Sequence, residues 1–360
     1  AKPQKPSDKP EYRPFLLDKS SSTQPTELSL IYYIDGTCFN YDIKVSSECI
    51  EEEELKLVQS RSSRIFYRYH NKELDKVVIN YGGACDLSKS DQHDLEVNTL
   101  ANASVLSTFG ALNLESQILS KNFDYFENHI SMIHRSDKSL ADKLQTGDPE
   151  KDIALKKLLL RLLNDVGTNI CDYVIEEASL NISELIANGA PDIVIKAMME
   201  QYPSGVITHK NLRFIHSTKD GESGLDFDLE SLGTKNIIRL LVVLYDVVVG
   251  EKSTCIDEIE YGIHTKALAF ILKMYLTIAE NCQLIVATHD LSLLNADFLR
   301  RDAVRLFEKD EHGSTYVRRR DYLHKTISFY KTYEKEVSPQ LDELMRKIEI
   351  FIKYKDDIME

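Results

Sequence analysis

Three short stretches between Glu230 and Asp290 decide the fold. Residues 230–234 read Glu-Ser-Leu-Gly-Thr, residues 253–260 read Ser-Thr-Cys-Ile-Asp-Glu-Ile-Glu, and residues 284–290 read Leu-Ile-Val-Ala-Thr-His-Asp. The second and third are typical of short strands that end in polar residues. Ligands bind beyond the carboxyl ends of strands in open α/β sheets, so these polar residues are candidates for one site. The first stretch opens an apolar helix, whose free N–H groups and dipole favour an anion.

The polar side chains at this sheet edge suit the hydrolysis of a nucleotide. Asp257 would hold Mg²⁺ through water, because this hard cation takes oxygen ligands. Glu258 would polarise the attacking water, a contribution of typically about 10²–10⁴-fold. His289 ends the next strand and could reach the γ-phosphate from the same edge. Glu260 is a less direct candidate.

The order of the motifs resembles that of the ABC-class ATPases. Ser-x-Gly-Thr at 231–234 is followed by Ile-Asp-Glu-Ile-Glu-x-Gly-Ile-His at 256–264 and Ala-Thr-His-Asp at 287–290. Within that class the chain is most similar to the short RecF- and SMC-like ATPases of bacterial abortive-infection and anti-phage systems. Residues 306–315 resemble a strand pair of the same family, and residues 14–18 resemble the segment after its first helix.

This resemblance implies roles for most of the motif residues. Asp257 and Glu258 would form Walker B, and His289 would be the switch residue. The signature motif would cap the ATP bound by another subunit, so a homodimer or higher homo-oligomer is expected; it comprises Ser231, Gly233 and Thr234. The implied cofactors are ATP and Mg²⁺. Near the first strand the family has a glutamine that contacts Mg²⁺ and the water, and Gln24 is the candidate here.

Each of these residues also has a simpler interpretation. Ser231 alone would be an N-cap, the pair Asp257 and Glu258 a solvated strand end, and His289 a structural histidine. The order and spacing of the three motifs favour the functional interpretation. Gln24 is different, because no other motif residue surrounds it and an ordinary loop glutamine is the simpler interpretation.

The phosphate-binding P-loop is missing from the sequence. The 360 residues contain no Gly-x-x-x-x-Gly-Lys-Ser/Thr run, whose backbone N–H groups would cradle phosphates. The run Gly250–Thr254 lacks the required spacing and leads into Walker B. We expect a Walker A segment upstream of Ala1 that is outside this chain; the alternative is a pseudo-ATPase.

Composition limits the classes of function. Hydrophobic residues make up 42% and charged residues 28%, which is ordinary for a globular protein. No apolar run approaches the roughly 20 residues of a membrane helix, so no membrane partner is expected. Six cysteines without a CxxC pair indicate a reducing, cytoplasmic setting rather than zinc binding. With a net charge of −14, a broad nucleic-acid-binding face is not expected, although a local groove near Arg318 remains an alternative.

Periodicity predicts an α/β fold: an ABC-type P-loop NTPase core with an antiparallel β layer and an inserted helical lid. Alternation from Thr26 to Val45 around Asp35-Gly36 predicts a hairpin, and residues 64–69 and 76–81 predict further strands. The expected divisions are 1–90, the N-terminal part of the core; 91–211, the helical lid; 212–335, the C-terminal half of the core; and 336–360, an amphipathic tail helix.

Three functions fit these features. The first is a Mg²⁺-dependent ATPase that acts as sensor or regulator in an anti-phage system of the Septu, PARIS or AbiL type and controls a separate effector nuclease of the HNH or Toprim type. The second is a RecF-like DNA-repair ATPase, for which DNA affinity should fall steeply with salt. The third is a non-hydrolysing assembly scaffold, which a genuine absence of the P-loop would require.

Overall fold

The computed structural model describes residues 5, 7–133, 140–187 and 191–318. The chain divides into two compact units. Residues up to 130 form the first unit together with residues 305–318, and residues 131–304 form the described part of the second. The predicted tail helix, 336–360, lies outside the described residues.

The first unit is built on a five-stranded antiparallel sheet with its strands in sequence order. The strands are β1 (Thr26–Ile34), β2 (Thr37–Val45), β3 (Ile50–Val58), β4 (Ser62–Asn71) and β5 (Lys76–Tyr81). Asp35 and Gly36 connect β1 to β2 with φ angles of 49° and 74°, which is the left-handed geometry of a tight hairpin turn. The predicted hairpin and the strands at 64–69 and 76–81 are therefore confirmed.

Three helices follow the sheet and share its core: α1 (Lys89–Asn98), α2 (Val105–Ala111) and α3 (Gln117–Asp124). A serine caps the N-terminus of each. Their buried side chains join those of the sheet in one hydrophobic cluster, which includes Leu55, Phe66, Leu95, Phe109 and Leu119. One face of the antiparallel layer is therefore covered from within the same unit.

The second unit begins with β6 (Ile130–Ile133) and continues with α4 (Leu140–Leu144), α5 (Pro149–Asp165), β7 (Ile170–Asn181), α6 (Ile182–Ala187), α7 (Asp192–Gln201), β8 (Val206–Thr218) and β9 (Gly221–Asp226). It then has α8 (Leu232–Val249), β10 (Ser253–Ile256), α9 (Thr265–Ile278) and β11 (Gln283–Val286). Strands β7, β8 and β9 form an antiparallel sheet, and β11, β10 and β6 form another three-stranded sheet in that order. The last two strands, β12 (Leu306–Lys309) and β13 (Thr315–Arg318), pair antiparallel in the first unit, as the sequence predicted.

Helix α8 is the centre of the hydrophobic core of the second unit. Its buried side chains lie on most of its circumference, from Ile237 to Val247. They cluster with Leu159 of α5 and with Leu268 and Ile271 of α9. A helix that is apolar on most sides must be enclosed by other elements. In the described ranges no helix has the length and apolar character needed to cross a membrane.

One expectation about secondary structure needs correction. Residues 91–211 were predicted as a helical lid, but β6, β7 and the start of β8 lie within that range. The period-two pattern of β7 is obscured by Glu176, Glu177 and Ala178, and its twelve residues become a strand because they pair with β8. The function of this segment as a lid and the four domain boundaries remain predictions.

Strand β3 is not among the predicted strands, and its residues 51–54 are four consecutive glutamates. Cross-strand partners neutralise part of this charge: Lys44 Nζ of β2 lies 3.6 Å from Glu52, and Arg64 Nε of β4 lies 2.7 Å from Glu54. Glu53 points to the interior and is fully buried.

Two buried charges hold the antiparallel layer to the helices behind it. Glu53 accepts the Val105 N–H at 2.8 Å and the Tyr41 hydroxyl at 2.8 Å, and so fixes the start of α2. Arg68, also fully buried, donates to the carbonyls of Ile50 and Ala101, the latter at 2.8 Å. Burial raises the pKa of Glu53, although the nearby Arg68 charge opposes this. The two ions are thus retained by hydrogen bonds and by each other.

Replacing Arg68 with methionine should therefore lower the free energy of unfolding by about 3–5 kcal/mol, because Glu53 would remain buried without its cation. Chemical denaturation followed by circular dichroism measures this loss. The control is Arg64→Met on the same strand, which removes a half-exposed ion pair with Glu54 and a cation–π contact with Tyr67 and should cost about 0–1 kcal/mol. The double variant Arg68→Met/Glu53→Met should lose less than the sum of the single losses; additive losses would refute the coupling.

Candidate functional site

Parallel pairing of β10 with β11 creates the candidate site. Their register runs from Ser253 opposite Gln283 to Ile256 opposite Val286, so both strands end at the same level. Two backbone hydrogen bonds continue beyond the strands: the Ala287 N–H donates to the Ile256 carbonyl at 2.9 Å, and the Ile259 N–H donates to the Ala287 carbonyl at 3.2 Å. The residues that follow each strand are therefore held side by side.

The structure brings Asp257, Glu258 and His289 to this one edge of the sheet. Asp257 is exposed, and Glu258 is half-buried. Glu258 has a φ of 45°, a left-handed conformation that an L side chain adopts at a cost of roughly 1–2 kcal/mol. Such strain persists where the surrounding structure imposes it, and it concentrates at functional sites.

Glu260 secures the segment that carries His289. Its Oε1 accepts the His289 backbone N–H at 2.7 Å, and its Oε2 is buried with no hydrogen-bond partner. Burial acts to raise the pKa of Glu260, but hydrogen bonds from the Thr288 hydroxyl and the His289 N–H outweigh it, so the pKa is lowered. Glu260 thus remains ionised at neutral pH and links the two strand ends.

The N-terminus of α8 lies beside this edge. Ser231 is the N-cap, and its Oγ accepts the Thr234 N–H at 3.1 Å. Gly233 packs so closely on the Gly262 carbonyl that a Cβ would stand 2.9 Å from its oxygen. The Asn236 side-chain amide donates to the Tyr261 carbonyl at 2.8 Å. Ser231 itself is exposed, so its cap role leaves it at the surface of the chain.

Gln24 lies in the other unit. It follows a 3₁₀ turn at Ser21–Thr23 and precedes β1, and its carbonyl accepts the Tyr12 hydroxyl at 2.6 Å. Its side chain is exposed. Its predicted contact with Mg²⁺ and water remains a prediction.

Three neighbours of the site were not singled out by sequence reasoning. Asn236 had no motif to mark it. Asp290 accepts the Thr265 hydroxyl at 2.7 Å and so joins the end of the β11 segment to the start of α9. Arg239 lines a cavity of about 100 Å³ beside the two carboxylates. Asn236 lies one turn after Gly233 and therefore on the same face of α8, and this spacing could have identified it as a neighbour of the site.

The residues present fit a hydrated Mg²⁺ better than a directly ligated metal. In the part of the chain that the structure describes, no three His, Cys, Asp or Glu side chains group closely enough to hold a metal ion. Mg²⁺ usually keeps several waters and binds one or two carboxylates together with substrate phosphates. The exposed Asp257 carboxylate suits that mode, in which the nucleotide supplies the remaining ligands.

Comparison with known families shows which family the chain belongs to. Residues 6–295 match a family model described as "AAA domain, putative AbiEii toxin, Type IV TA system". The chain belongs to this family. It is therefore a member of an AAA-type ATPase family, for which nucleotide binding is the common property.

Searches of individual proteins add little. A search of curated sequences finds no match. Among solved structures, an SmcHead bound to the C-winged helix domain of ScpA has 9% identity and a TM-score of 0.32, covering 79% of this chain and 76% of that chain. The recombination mediator protein RecF-ATPrS of the RecFOR pathway has 12% identity and a TM-score of 0.22, covering 72% and 76%. Both TM-scores are low, so we draw no functional conclusion from either likeness.

Asp290 should give the site region a measurable acid sensitivity. Burial raises its pKa, but hydrogen bonds from Ser292 and Thr265 outweigh this and lower it. A carboxyl whose folded pKa is depressed adds stability above its unfolded pKa of about 3.9, and this stability is lost as pH falls through the folded value. Asp290→Asn should therefore lower the melting temperature at pH 7, and the difference from wild type should shrink below about pH 4.

Thermal unfolding followed by circular dichroism across this pH range provides the measurement. Asp297→Asn, at an exposed position, is the matched control and should change little. A difference between Asp290→Asn and wild type that stays constant with pH would show that the carboxylate charge is not the cause.

Proposed function

We propose that this protein binds and hydrolyses ATP with Mg²⁺ as a homodimer or higher homo-oligomer. The observation that carries the proposal is the register of β10 and β11, which sets Asp257, Glu258 and His289 at one sheet edge. Membership of an AAA-type ATPase family supports the same reaction class. No other chemistry is favoured by a specific arrangement in the described residues.

Each residue at the edge has a separate task. Asp257 would hold the hydrated Mg²⁺, which would neutralise charge on the phosphate oxygens when bound. Glu258 orients the attacking water and accepts its proton. His289 contacts the terminal phosphate from the neighbouring strand end, and Glu260 holds the backbone of its segment. The fixed backbone matters because positioning contributes much of the rate in phosphoryl transfer.

The start of α8 acts on a different nucleotide. Ser231, Gly233 and Thr234 cap the ATP held by another protomer, using N–H groups of the helix N-terminus other than that of Thr234, which Ser231 Oγ accepts. The exposure of Ser231 supports this assignment, because a residue that reaches a neighbouring protomer must lie on the surface of its own. The site would thus be complete only when two copies meet.

The biological role that we propose is in defence against phage. We assign to this role a regulatory ATPase that senses infection and controls a separate effector nuclease of the HNH or Toprim type. The family description names a toxin–antitoxin system, which supports the defence setting alone. A net charge of −14 favours protein partners over a broad nucleic-acid surface. All six cysteines are free, which supports a reducing, cytoplasmic location.

Glu258→Gln in the full-length gene product should leave ATP binding intact and reduce turnover by about 10²–10⁴-fold, because the amide cannot accept the proton. Binding is measured with a fluorescent ATP analogue, and turnover by phosphate release. Glu280→Gln removes a similar charge from an exposed position and should leave both unchanged. Wild-type turnover in Glu258→Gln would reject the assignment of Glu258 as the base.

Ser231→Arg should abolish turnover while the protomer stays folded, because the bulky cation would occupy the surface offered to the partner's nucleotide. Thr277→Arg, at an exposed position of α9, controls for the added charge. Circular dichroism and phosphate release distinguish misfolding from loss of the shared site.

Mixing the two inactive variants tests sharing directly. A dimer of one Ser231→Arg and one Glu258→Gln protomer has one intact site, formed by Glu258 of the first and Ser231 of the second. Random pairing of equal amounts should restore about a quarter of wild-type turnover, since half of the dimers are mixed and each has one of two sites. No recovery after subunit exchange would indicate that Ser231 acts within its own protomer.

A further inference from the structure

The segment of residues 258–263, which we call the connector, is held by two side chains from other elements. Near its C-terminal end, Asn236 of α8 donates its side-chain amide to the Tyr261 carbonyl at 2.8 Å. Near its middle, Glu260 accepts the His289 N–H at 2.7 Å. The connector is therefore bonded both to the helix that begins at the signature segment and to the segment that carries His289.

Close packing leaves the connector little freedom beside α8. Gly262 has a φ of 68°, and a Cβ there would stand 3.1 Å from the Asn236 amide and 3.1 Å from Leu232 Cγ. A Cβ on Gly233 would stand 2.9 Å from the Gly262 carbonyl oxygen. Since both glycines are in contact with the opposite element, the first turn of α8 cannot shift without moving the connector.

Internal hydrogen bonds make the connector itself stiff. The Tyr261 N–H donates to the Glu258 carbonyl at 3.0 Å, and the Ile263 N–H donates to the Glu260 carbonyl at 2.8 Å. These two turns fix the backbone on both sides of Glu260. A displacement at one end is therefore passed to the other rather than absorbed.

Glu260 has one oxygen that its hydrogen bond to the His289 N–H does not use. Its Oε2 is buried without a hydrogen-bond partner, and a buried acceptor that lacks a donor is unfavourable. The pKa of Glu260 is nevertheless lowered, because its hydrogen bonds outweigh the cost of burial. The hydrogen bond that Glu260 does make is directed at the backbone of His289, which is a proposed functional residue.

We propose that Asn236 and Glu260 are positioning residues, which use the connector to fix the Ser231–Thr234 segment and the His289 segment relative to Glu258. This inference rests on the proposed ATPase function. Neither residue needs to contact the nucleotide. Each acts through the backbone that it bonds. The connector thus fixes both His289, which serves the protomer's own nucleotide, and the Ser231–Thr234 segment, which serves a neighbour's nucleotide.

Hydrogen exchange without nucleotide tests the mechanical part of the proposal. Glu260→Leu should speed exchange in the peptide covering residues 287–292 roughly tenfold, because the His289 N–H loses its charged acceptor. Glu260→Gln retains an acceptor oxygen and should keep most of the protection. Asn236→Asp preserves shape, removes the donor to Tyr261 and should speed exchange over residues 259–264. Asn295→Asp, at an exposed position, is the control and should change neither region.

Steady-state kinetics on the full-length gene product test the functional part. Glu260→Leu and Asn236→Asp should lower kcat by roughly tenfold or more with KM changed far less, because misplacement by about an ångström acts on the transition state. Glu260→Gln should keep near wild-type turnover, because it retains an acceptor oxygen for the His289 N–H. Turnover as low in Glu260→Gln as in Glu260→Leu would overturn the positioning role and indicate that the charge itself is used.

The two measurements separate this inference from the proposed function. Wild-type hydrogen exchange in Glu260→Leu and Asn236→Asp would refute the proposal that these side chains hold the connector in place, whatever the ATPase activity. Faster exchange combined with wild-type kcat would overturn the positioning role while leaving the ATPase intact. If the wild-type protein hydrolyses no ATP, the ATPase proposal is refuted. The functional role assigned to Asn236 and Glu260 is then refuted as well, even when their variants exchange faster.

Discussion

The parallel pairing of β10 with β11 is the constraint on which the candidate site depends. These strands have only four residues each, and the chain between them forms α9. A parallel connection requires such a crossover, and the crossover brings two distant strand ends to the same edge. The backbone bonds beyond the strands extend the alignment to Ala287 and Ile259. Polar side chains from two parts of the sequence are thereby held side by side, and the Glu260 carboxylate bonds the backbone of His289 directly.

Short strands cannot hold such an arrangement alone, and the hydrophobic core of the second unit supplies the rest. Helices α8 and α9 bury leucine, isoleucine and valine side chains in the cluster that also receives Ile259 and Ile263 from the connector. These two apolar residues alternate with exposed or half-exposed polar ones between β10 and α9. The same short segment is therefore anchored by burial on one side and presents carboxylates on the other.

The sequence was sufficient for the elements with strong local signals. The hairpin at Asp35-Gly36, the start of α8 at Ser231 and the two motif strands were predicted because turn chemistry, capping and apolar runs are local properties. Strands β3 and β7 were not predicted, because each lacks a clear period-two pattern and becomes a strand through pairing with its neighbours. Local pattern carries no information about such partners.

For the candidate site, the sequence predicted which motif residues come together but not the contacts that hold them. Motif order placed Asp257, Glu258 and His289 together, since parallel strand ends meet at one edge. It gave no indication that Glu260 would bond the His289 backbone or that Asn236 would bond Tyr261, because these contacts depend on the packing of α8 against the connector. Contacts between side chain and distant backbone have no sequence signature of their own.

The left-handed backbone of Glu258 has a consequence for how the sequence can drift. At a φ of 45°, glycine and asparagine are comfortable, whereas valine and isoleucine are strongly disfavoured. In a lineage freed from selection for hydrolysis, glutamate would be expected to give way to glycine or asparagine at this position long before a β-branched residue. Glycine or asparagine in place of Glu258 would then indicate a relative that lost hydrolysis but kept the fold.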